Sequence, residues 1–401
     1  MKILFLTPQL PYPPQKGTAL RNWGLIDGLA SRHELSLLSF RAPGQDAELP
    51  SPLLDACEQV AAVPQPERTV RDRLLGMLTT RHPDMALRLR SEVYALRLAE
   101  WLTRETFDVV QVEGIELASY LDVIESTARV PVVVFDDHNC EYVLQRRVFF
   151  TDLVAPARWP GAAYSCVQWL RLRRYETEVC RRADRVLTVS DADADALKRL
   201  VPGLDPSVVP NGIDTRAYHP EVVETQPREN SLVFTGTMDF RPNVDAMLWF
   251  MREALPLIQA EIPDVHVDVV GQRPHPRLDP LRENASVTLT GFVEDVRPYI
   301  ANAALYVAPL RMGGGTRLKL LEAMAMGKAV VATRLGAEGY PVRDGRELVL
   351  ADTAADFAES VISLLQSPKR RTALGRTARA FVEERYDWRA IVPLVEKVYP
   401  G

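Results

Sequence analysis

The chain reads as two Rossmann-like α/β domains in series, each built on a parallel sheet. Short runs of Val, Leu, Ile or Phe alternate with Gly/Pro/Asp loops and longer helical patterns, the rhythm of βαβ units. The runs are continuously apolar, not alternating, as in strands covered on both faces. At 401 residues the chain exceeds one ordinary core, so two domains of about 200 residues each are the default.

In the first half, strands are expected at Ile3–Leu6, Leu35–Phe40, Val109–Val112, Val132–Phe135 and Arg185–Val189. In the second half they are expected at Val208–Val209, Leu232–Phe234, Val265–Val270, Val287–Thr290, Leu305–Val307, Ala329–Ala332 and Leu348–Leu350. Pro202, Gly203, Pro206 and Pro210 punctuate the chain between a helix and the next strand, which places the boundary near Val201–Pro210. The expected division is 1–203, 204–385 and a tail, 386–401. Ligands of open α/β sheets bind outside the carboxyl ends of the strands, so the cleft between the domains is the expected site.

Composition narrows the function classes. With 47% hydrophobic and 25% charged residues, the chain has the profile of a globular protein. A formal net charge of −5 supplies no electrostatic reason for a nucleic-acid partner. Cys57, Cys140, Cys166 and Cys180 lie far apart without a Cys-x-x-Cys pair, so neither structural zinc nor a disulfide scaffold is expected. Thiols in a reducing compartment fit best, and a cytoplasmic location is expected. The apolar run after Met1 reaches Pro8 at once and reads as a buried strand, not as a signal peptide. The uncharged stretch Trp159–Leu170 falls well short of the roughly 20 apolar residues that a spanning helix needs.

From Arg146 to Arg182, Phe149, Phe150, Trp159, Tyr164 and Trp169 are mixed with a series of arginines. One reading is a surface helix resting on an anionic membrane, a peripheral contact. The other is a buried helix pair whose arginine stems lie over apolar surface. Asp152, Glu176 and Glu178 interrupt the basic face and favour the second.

The strongest local signal follows the strand at Leu305–Val307. Gly313, Gly314 and Gly315 lack a Cβ, so the backbone can turn tightly and approach a ligand. Thr316 is expected to open a helix running to about Met326, with Leu318, Leu321 and Ala325 on its apolar face. A helix N-terminus is a ready anion site. Arg317 and Lys319 oppose the dipole there, and a bound diphosphate would account for them. Glu322 lies about 9 Å beyond Thr316 along such a helix, roughly the distance from a diphosphate to its ribose. Lys319 and Glu322 share a face. Leu318 occupies the place of the last glycine of a dinucleotide fingerprint, and no Gly-Lys-Ser/Thr follows, so neither common phosphate loop is present.

Pro309 through Thr333, PLRMGGGTRLKLLEAMAMGKAVVAT, resembles the signature segment of the family 4 glycosyltransferases, which adopt the two-domain GT-B fold. Matching pieces run through the chain: Val209–Asp214, Phe234-Thr235-Gly236, Val269-Val270-Gly271, Leu289–Val293, Gly336, Glu338-Gly339 and Asp344-Gly345. The resemblance covers essentially the whole chain and looks closest to bacterial members associated with exopolysaccharide assembly.

It implies retaining transfer of a sugar from a nucleoside diphosphate sugar to a glycan or lipid-linked acceptor, without a cofactor or a required metal. Glu322 matches the second carboxylate of the family's Glu-x7-Glu motif, the ribose contact. Backbone around Phe292 and Val293, with Gly236 and Gly271, would contact the base and ribose. Gly17 opens a helix in a loop that would approach the donor phosphates beside Gly313, Gly315 and Thr316. That helix shows Ala19, Trp23, Ile26 and Ala30 on one face. His138 matches a histidine near the transferred sugar, with Asp137 and Glu141 as candidates for acceptor contacts or for orienting the imidazole. The tail from Tyr386 reads as a helix that crosses back to the first domain in similar proteins.

Two departures stand out. The first carboxylate of the motif should fall at Gly314, and the usual Arg and Lys of the second-domain phosphate loop are replaced by Thr237 and Pro242. Arg317 and Lys319, with Arg241, are expected to take over the charge neutralisation. Asp191-x-Asp193-x-Asp195 reads as the first turn of a helix capped by Ser190, not as a metal site. A sugar-nucleotide epimerase of similar fold and a glycosyltransferase-like binding protein without turnover are the alternatives.

Overall fold

The computed structural model describes residues 1–400 except 15, 16, 47, 155 and 314, and the side chains among these except 74 and 157. The chain divides into two compact units, Met1–Asn211 with Ile391–Gly401, and Gly212–Ala390.

The first unit holds β1 (Lys2–Thr7), β2 (Glu34–Arg41), β3 (Gln59–Pro64), β4 (Val109–Glu113), β5 (Val132–Asp137), β6 (Arg185–Thr188) and β7 (Ser207–Val208). Their order is β3-β2-β1-β4-β5-β6-β7 with every pairing parallel. Ile3, Leu4, Phe5 and Leu6 are wholly buried, which explains why β1 carries no polar alternation. The strand order reverses between β1 and β4, and the crevice beyond their carboxyl ends is the topological switch point.

The second unit repeats the plan with β8 (Ser231–Thr235), β9 (His266–Val270), β10 (Val287–Gly291), β11 (Leu305–Ala308), β12 (Val330–Ala332) and β13 (Val349–Leu350). The order is β10-β9-β8-β11-β12-β13, again parallel throughout, and the switch lies between β8 and β11. Leu232, Phe234, Val267, Leu305 and Val331 anchor the core on one sheet face, with Val233, Tyr306 and Val330 in the cluster on the other.

The structure adds β3, an edge strand diluted by Gln59, Ala61 and Ala62 and ended by Pro64. Val208, expected to open the second half, instead belongs to β7, which pairs with β6 and closes the first sheet. The first unit therefore runs to Asn211 and not to Gly203. Pro202 and Gly203 only turn the chain between a helix and this last strand.

The final helix is Trp388–Glu396. From Ile391 onward the chain belongs to the first unit. A Cβ on Gly28 would stand 2.3 Å from Val392 Cγ2, so only glycine lets the two segments meet this closely. Arg32 and His33 reach Glu396 at 2.7 and 2.9 Å.

Three local expectations need correction. The helix expected from Thr316 spans Leu318–Ala325; Arg317, at φ −101° and ψ 86°, precedes it outside the helical range. The Gly17–Ala30 helix buries Arg21, Asn22, Leu25 and Leu29 along with Ala19 and Ile26, while Trp23 and Ala30 are only half-buried. Trp23 packs edge-on to Tyr12 at 5.1 Å. The stretch 146–182 is not a buried pair. Its helices, Glu141–Leu153 and Trp159–Arg182, pack on each other, yet the first buries none of its residues. Among the described residues, no helix is long and apolar enough to cross a membrane.

Candidate active site

Each unit presents candidate residues at the carboxyl ends of its own strands. In the first unit, β4 ends in Glu113 and β5 in Asp136 and Asp137, with His138 next. His138 Nε2 lies 2.6 Å from Glu113 Oε2. Glu113 Oε1 accepts from Gln111 Nε2 at 2.6 Å, and Gln111 accepts in turn from the Tyr399 hydroxyl. With its amide nitrogen turned toward Glu113, Asn22 donates to Oε2 at 2.8 Å and to the Thr18 carbonyl at 3.2 Å.

Beneath this chain lies a buried ion pair. Arg21 donates to Asp136 Oδ2 from Nε at 3.0 Å and from Nη2 at 2.7 Å. Its Nη1 donates to the carbonyls of Val209 and Pro210 and to Asn211 Oδ1, at 3.0 to 3.2 Å.

Burial works against a charged His138, but the Glu113 hydrogen bond and the Asp136 charge outweigh it and raise its pKa. Burial, and then Asp136, raise the Glu113 carboxyl against the opposing pull of His138. The imidazole faces a small cavity of about 80 Å³ lined by Pro8, Thr18, Gly114, Ile115, Glu116, Asp137, His138, Asn139 and Glu141. Gly114 holds φ +92° there, and a Cβ on it would lie 3.7 Å from His138 Nδ1. Nε2 is engaged by Glu113, so Nδ1 is the nitrogen nearest this opening.

The expected acids behave differently from one another. Asp137 is buried, and desolvation, with Glu176 and Glu141 nearby, holds its carboxyl well above the usual range. The group that orients the imidazole is Glu113, 2.6 Å from Nε2. Glu141 lines the cavity, its carboxyl pushed up to about 7 by burial and Glu116. Glu176 is pushed to about 8 by burial while it accepts the backbone N–H groups of Glu141 and Tyr142, at 2.7 and 2.9 Å.

Among the described residues, two triads bring metal-ligating atoms within 4.8 Å of one another: Glu113/Asp136/His138 and Asp137/Cys140/Glu176. In the first, Arg21 already neutralises Asp136 and His138 engages Glu113. In the second, burial raises the Cys140 thiol and both carboxyls, disfavouring the anionic donors a cation needs. Asp191, Asp193 and Asp195 lie in the Asp191–Leu200 helix, whose N-cap Ser190 accepts from the Asp193 N–H.

In the second unit, Gly236 follows β8 and Gly271 follows β9, with φ near +150° at both. A Cβ on Gly271 would fall 1.7 Å from the Gly236 carbonyl oxygen, and one on Gly236 would fall 2.6 Å from Lys319 Nζ. Lys319 Nζ donates to Asn243 Oδ1 at 2.9 Å and sits 4.2 Å from the centre of the Phe234 ring. Asn243 Nδ2 donates to the Thr237 carbonyl at 2.9 Å. The amine is thus fixed against the switch-point backbone. Desolvation lowers its pKa to about 7, with Glu322 opposing.

Glu322 accepts weakly from the Tyr218 hydroxyl at 3.4 Å, and burial raises its carboxyl while Lys319 pulls it down. Gly313 and Gly315 hold φ of +111° and +75°. A Cβ on Gly313 would meet Arg317 Nη2 at 2.9 Å and the Pro242 ring at 3.3 Å. That places Arg317 and the start of the Arg241–Trp249 helix beside the glycine loop, with Arg241 exposed at its first position. Thr316 packs beside Gly339, where a Cβ would meet its methyl at 2.7 Å. Phe292 stands 70% exposed after β10, next to the half-buried Val293. Gly17 is exposed at the first position of its helix, and Gly314 lies outside the described residues.

Sequence reasoning missed Glu113, Arg21, Asn243 and Tyr218. Glu113 carried a signal, a charge closing the apolar run Val109–Val112 at a strand's carboxyl end. The others acquire meaning only through partners distant in sequence.

Two family models match: "Glycosyltransferase Family 4" over residues 16–217 and "Glycosyl transferases group 1" over 229–367. An uncharacterized 44.6 kDa protein of the cps region of Klebsiella pneumoniae is 22% identical over 99% of each chain. A phosphatidyl-myo-inositol mannosyltransferase of Mycolicibacterium smegmatis is 33% identical over 49% of this chain and 52% of its own; the match thus spans about half of that relative. Among solved structures, Anabaena HepE in complex with UDP and glucose superposes with a TM-score of 0.65 at 17% identity, covering 99% of this chain and 98% of HepE. The sucrose-phosphate synthase of Thermosynechococcus elongatus gives 0.72 at 16% identity, covering 100% and 98%. These last two likenesses speak to the fold.

Proposed function

Because the chain belongs to glycosyltransferase family 4, we propose that it moves a hexose from a nucleoside diphosphate sugar to a glycan or lipid-linked acceptor, with retention. The observation that carries this reading is the Lys319 amine, held by Asn243 against Gly236 at the second unit's switch point, one turn before Glu322. A cation, glycine backbone and a carboxylate in that order match a diphosphate followed by its ribose.

The roles follow from placement. Lys319, Arg317 and Arg241, with backbone at Gly313 and Gly315 and the Thr316 hydroxyl, would hold the diphosphate. Glu322 would accept from the ribose hydroxyls. Gly236 and Gly271 let the loops after β8 and β9 pack against each other and against Lys319, where their backbone would meet the nucleoside, and Phe292 offers an exposed ring and backbone to the base. Cationic side chains can stabilise the departing diphosphate without a metal. In retaining transfer the leaving phosphate oxygen takes the acceptor proton, so His138 acts near the sugar through Nδ1 and no separate strong base is required. Asp137 and Glu141 line the cavity beside His138 and would contact the acceptor there.

HepE, of similar fold, was solved with UDP and glucose, which supports a UDP-linked donor. The relative from a cps region supports a place in polysaccharide or glycoconjugate synthesis. A cytoplasmic enzyme in peripheral contact with the inner membrane face fits a lipid-linked acceptor.

Thermal-shift measurements across UDP, GDP, ADP and their sugars test the donor site, and product analysis with glycan and lipid-linked acceptors tests transfer. A rise in Tm with one nucleotide class is expected, followed by a new glycosidic product. No shift with any nucleotide would overturn the donor assignment. Donor converted to an epimer without acceptor would identify an epimerase.

A further inference from the structure

The Trp159–Arg182 helix carries one exposed stripe made of two unlike halves. At 3.6 residues per turn, Trp159, Val167, Leu170, Arg173, Arg174 and Arg181 fall on one side, opposite the buried Leu172, Tyr175 and Val179. The N-terminal half is apolar: Trp159 is 58% and Leu170 54% exposed, and Val154 in the preceding turn is 83% exposed. The C-terminal half is cationic. Arg173, Arg174 and Arg181 line an open groove beside Leu170. Their neighbour Arg182, by contrast, is held by Asp122 and Glu125 at 2.6 and 2.8 Å. Glu178 also lines the groove and lies 3.8 Å from Arg182. Even in a chain of net charge −5, the groove still holds more arginines than carboxylates.

We propose that this hairpin seats on an anionic lipid bilayer, with Val154, Trp159 and Leu170 entering the interface and Arg173, Arg174 and Arg181 meeting lipid phosphates. The argument is the order of chemistry along the axis. Trp159 to Leu170 covers about 16 Å, and the arginines begin about 5 Å further on. A helix tilted with its N-terminal end down then puts apolar side chains at the acyl boundary and guanidinium groups at headgroup level. The bilayer interface is the occupant that changes from hydrocarbon to phosphate over such a distance. Trp159 has the amphipathic ring favoured at that depth, and anionic lipid attracts the basic half. This extends the peripheral contact proposed above. It is measured without donor or acceptor, so it can fail independently of the transfer reaction.

The full chain is sedimented with vesicles of phosphatidylcholine, alone or with phosphatidylglycerol. Binding to the anionic vesicles is expected to be at least about 10-fold stronger and to weaken with salt. Arg173→Glu with Arg174→Glu and Arg181→Glu should remove that preference, and Val154→Ser with Trp159→Ser should weaken binding to both vesicle types. Unchanged thermal melts and unchanged nucleotide shifts establish that the variants fold. Equal binding to the two vesicle types, binding indifferent to both sets of substitutions, or no binding overturns the proposal. So does light scattering that shows a dimer lost in the variants, which would assign the face to a second copy of the chain.

Discussion

His138 Nε2 and Glu113 Oε2 stand 2.6 Å apart at the ends of neighbouring parallel strands, and this contact leaves Nδ1 toward the cavity. Glu113 is fixed from behind by Gln111, and Gln111 by Tyr399 of the C-terminal segment. The imidazole is held by a buried chain, not by the adjacent Asp137. Since Glu113 raises the His138 pKa, Glu113→Gln should lower it. The stabilisation that charged His138 contributes is present below the unfolded histidine value and lost as pH rises through the folded value. NMR titration of the ring should show the drop. Turnover should fall more than donor affinity, in Glu113→Gln as in His138→Ala. An unchanged His138 titration in Glu113→Gln would refute the coupling.

Lys319 predicts a proton linkage. Its amine titrates at about 7 in the folded chain because burial disfavours the charge. A diphosphate beside it would restore the proton, so nucleotide binding above pH 7 should take one up. Affinity should be flat below about 7 and fall as pH rises toward the pKa of the bound state. The same shift implies a folding penalty present below about 7 and gone above the ordinary lysine value. Calorimetry at pH 8 in two buffers of unlike ionisation enthalpy measures the uptake. Lys319→Met should abolish it and weaken binding about 10- to 100-fold, the range for a charged hydrogen bond. Equal enthalpies in the two buffers would rule the linkage out.

The parallel strands were legible because strands buried on both faces leave continuous apolar runs, as at Ile3–Leu6 and Val265–Val270. The edge strand at Gln59–Pro64 was not, since an edge tolerates Gln, Ala and Pro. Gly313, Lys319 and Glu322 were legible as a group because one loop and one helix carry them. The onset of that helix was not: Arg317 leaves the helical range for reasons of backbone geometry at the loop, which composition does not encode. Arg21 looked like an ordinary helical arginine because its partner Asp136 lies 115 residues away. Glu113 and Asn243 were hidden in the same way. Buried polar groups declare their function only through partners that the fold brings to them.

The acids behind the His138 cavity predict a second pH effect, this time on stability. Asp137 and Glu176 are fully buried with raised carboxyl pKa values, Glu176 at about 8. Glu141, at about 7, is half-buried and more screened by solvent. The folded state therefore holds protons that the unfolded chain releases at ordinary carboxylate values. Their contribution is full below the unfolded values and lost as pH rises through the folded ones. The unfolding free energy from urea titration should fall between pH 5 and pH 8, by up to about 1.4 kcal/mol per pH unit for each proton involved. Asp137→Asn should flatten the profile and leave the variant the more stable protein at pH 8. Parallel profiles for the two proteins would exclude Asp137 as a source.

The Arg21–Asp136 pair makes the last prediction. Arg21 is 2% exposed and Asp136 wholly buried, so neither charge can be left to water if its partner is removed. Arg21 also holds the carbonyls of Val209 and Pro210, tying the end of the first unit to its central strands. Asp136→Asn should cost about 3–5 kcal/mol by leaving a buried guanidinium uncompensated, and Arg21→Met should cost a similar amount from the other side. The double variant Arg21→Met with Asp136→Asn removes both charges and should lose clearly less than the two single losses combined. Urea unfolding of all four proteins closes the cycle. Additive losses would mean that the two side chains stabilise the fold separately, Arg21 through the Val209 and Pro210 carbonyls and Asp136 through its field on His138.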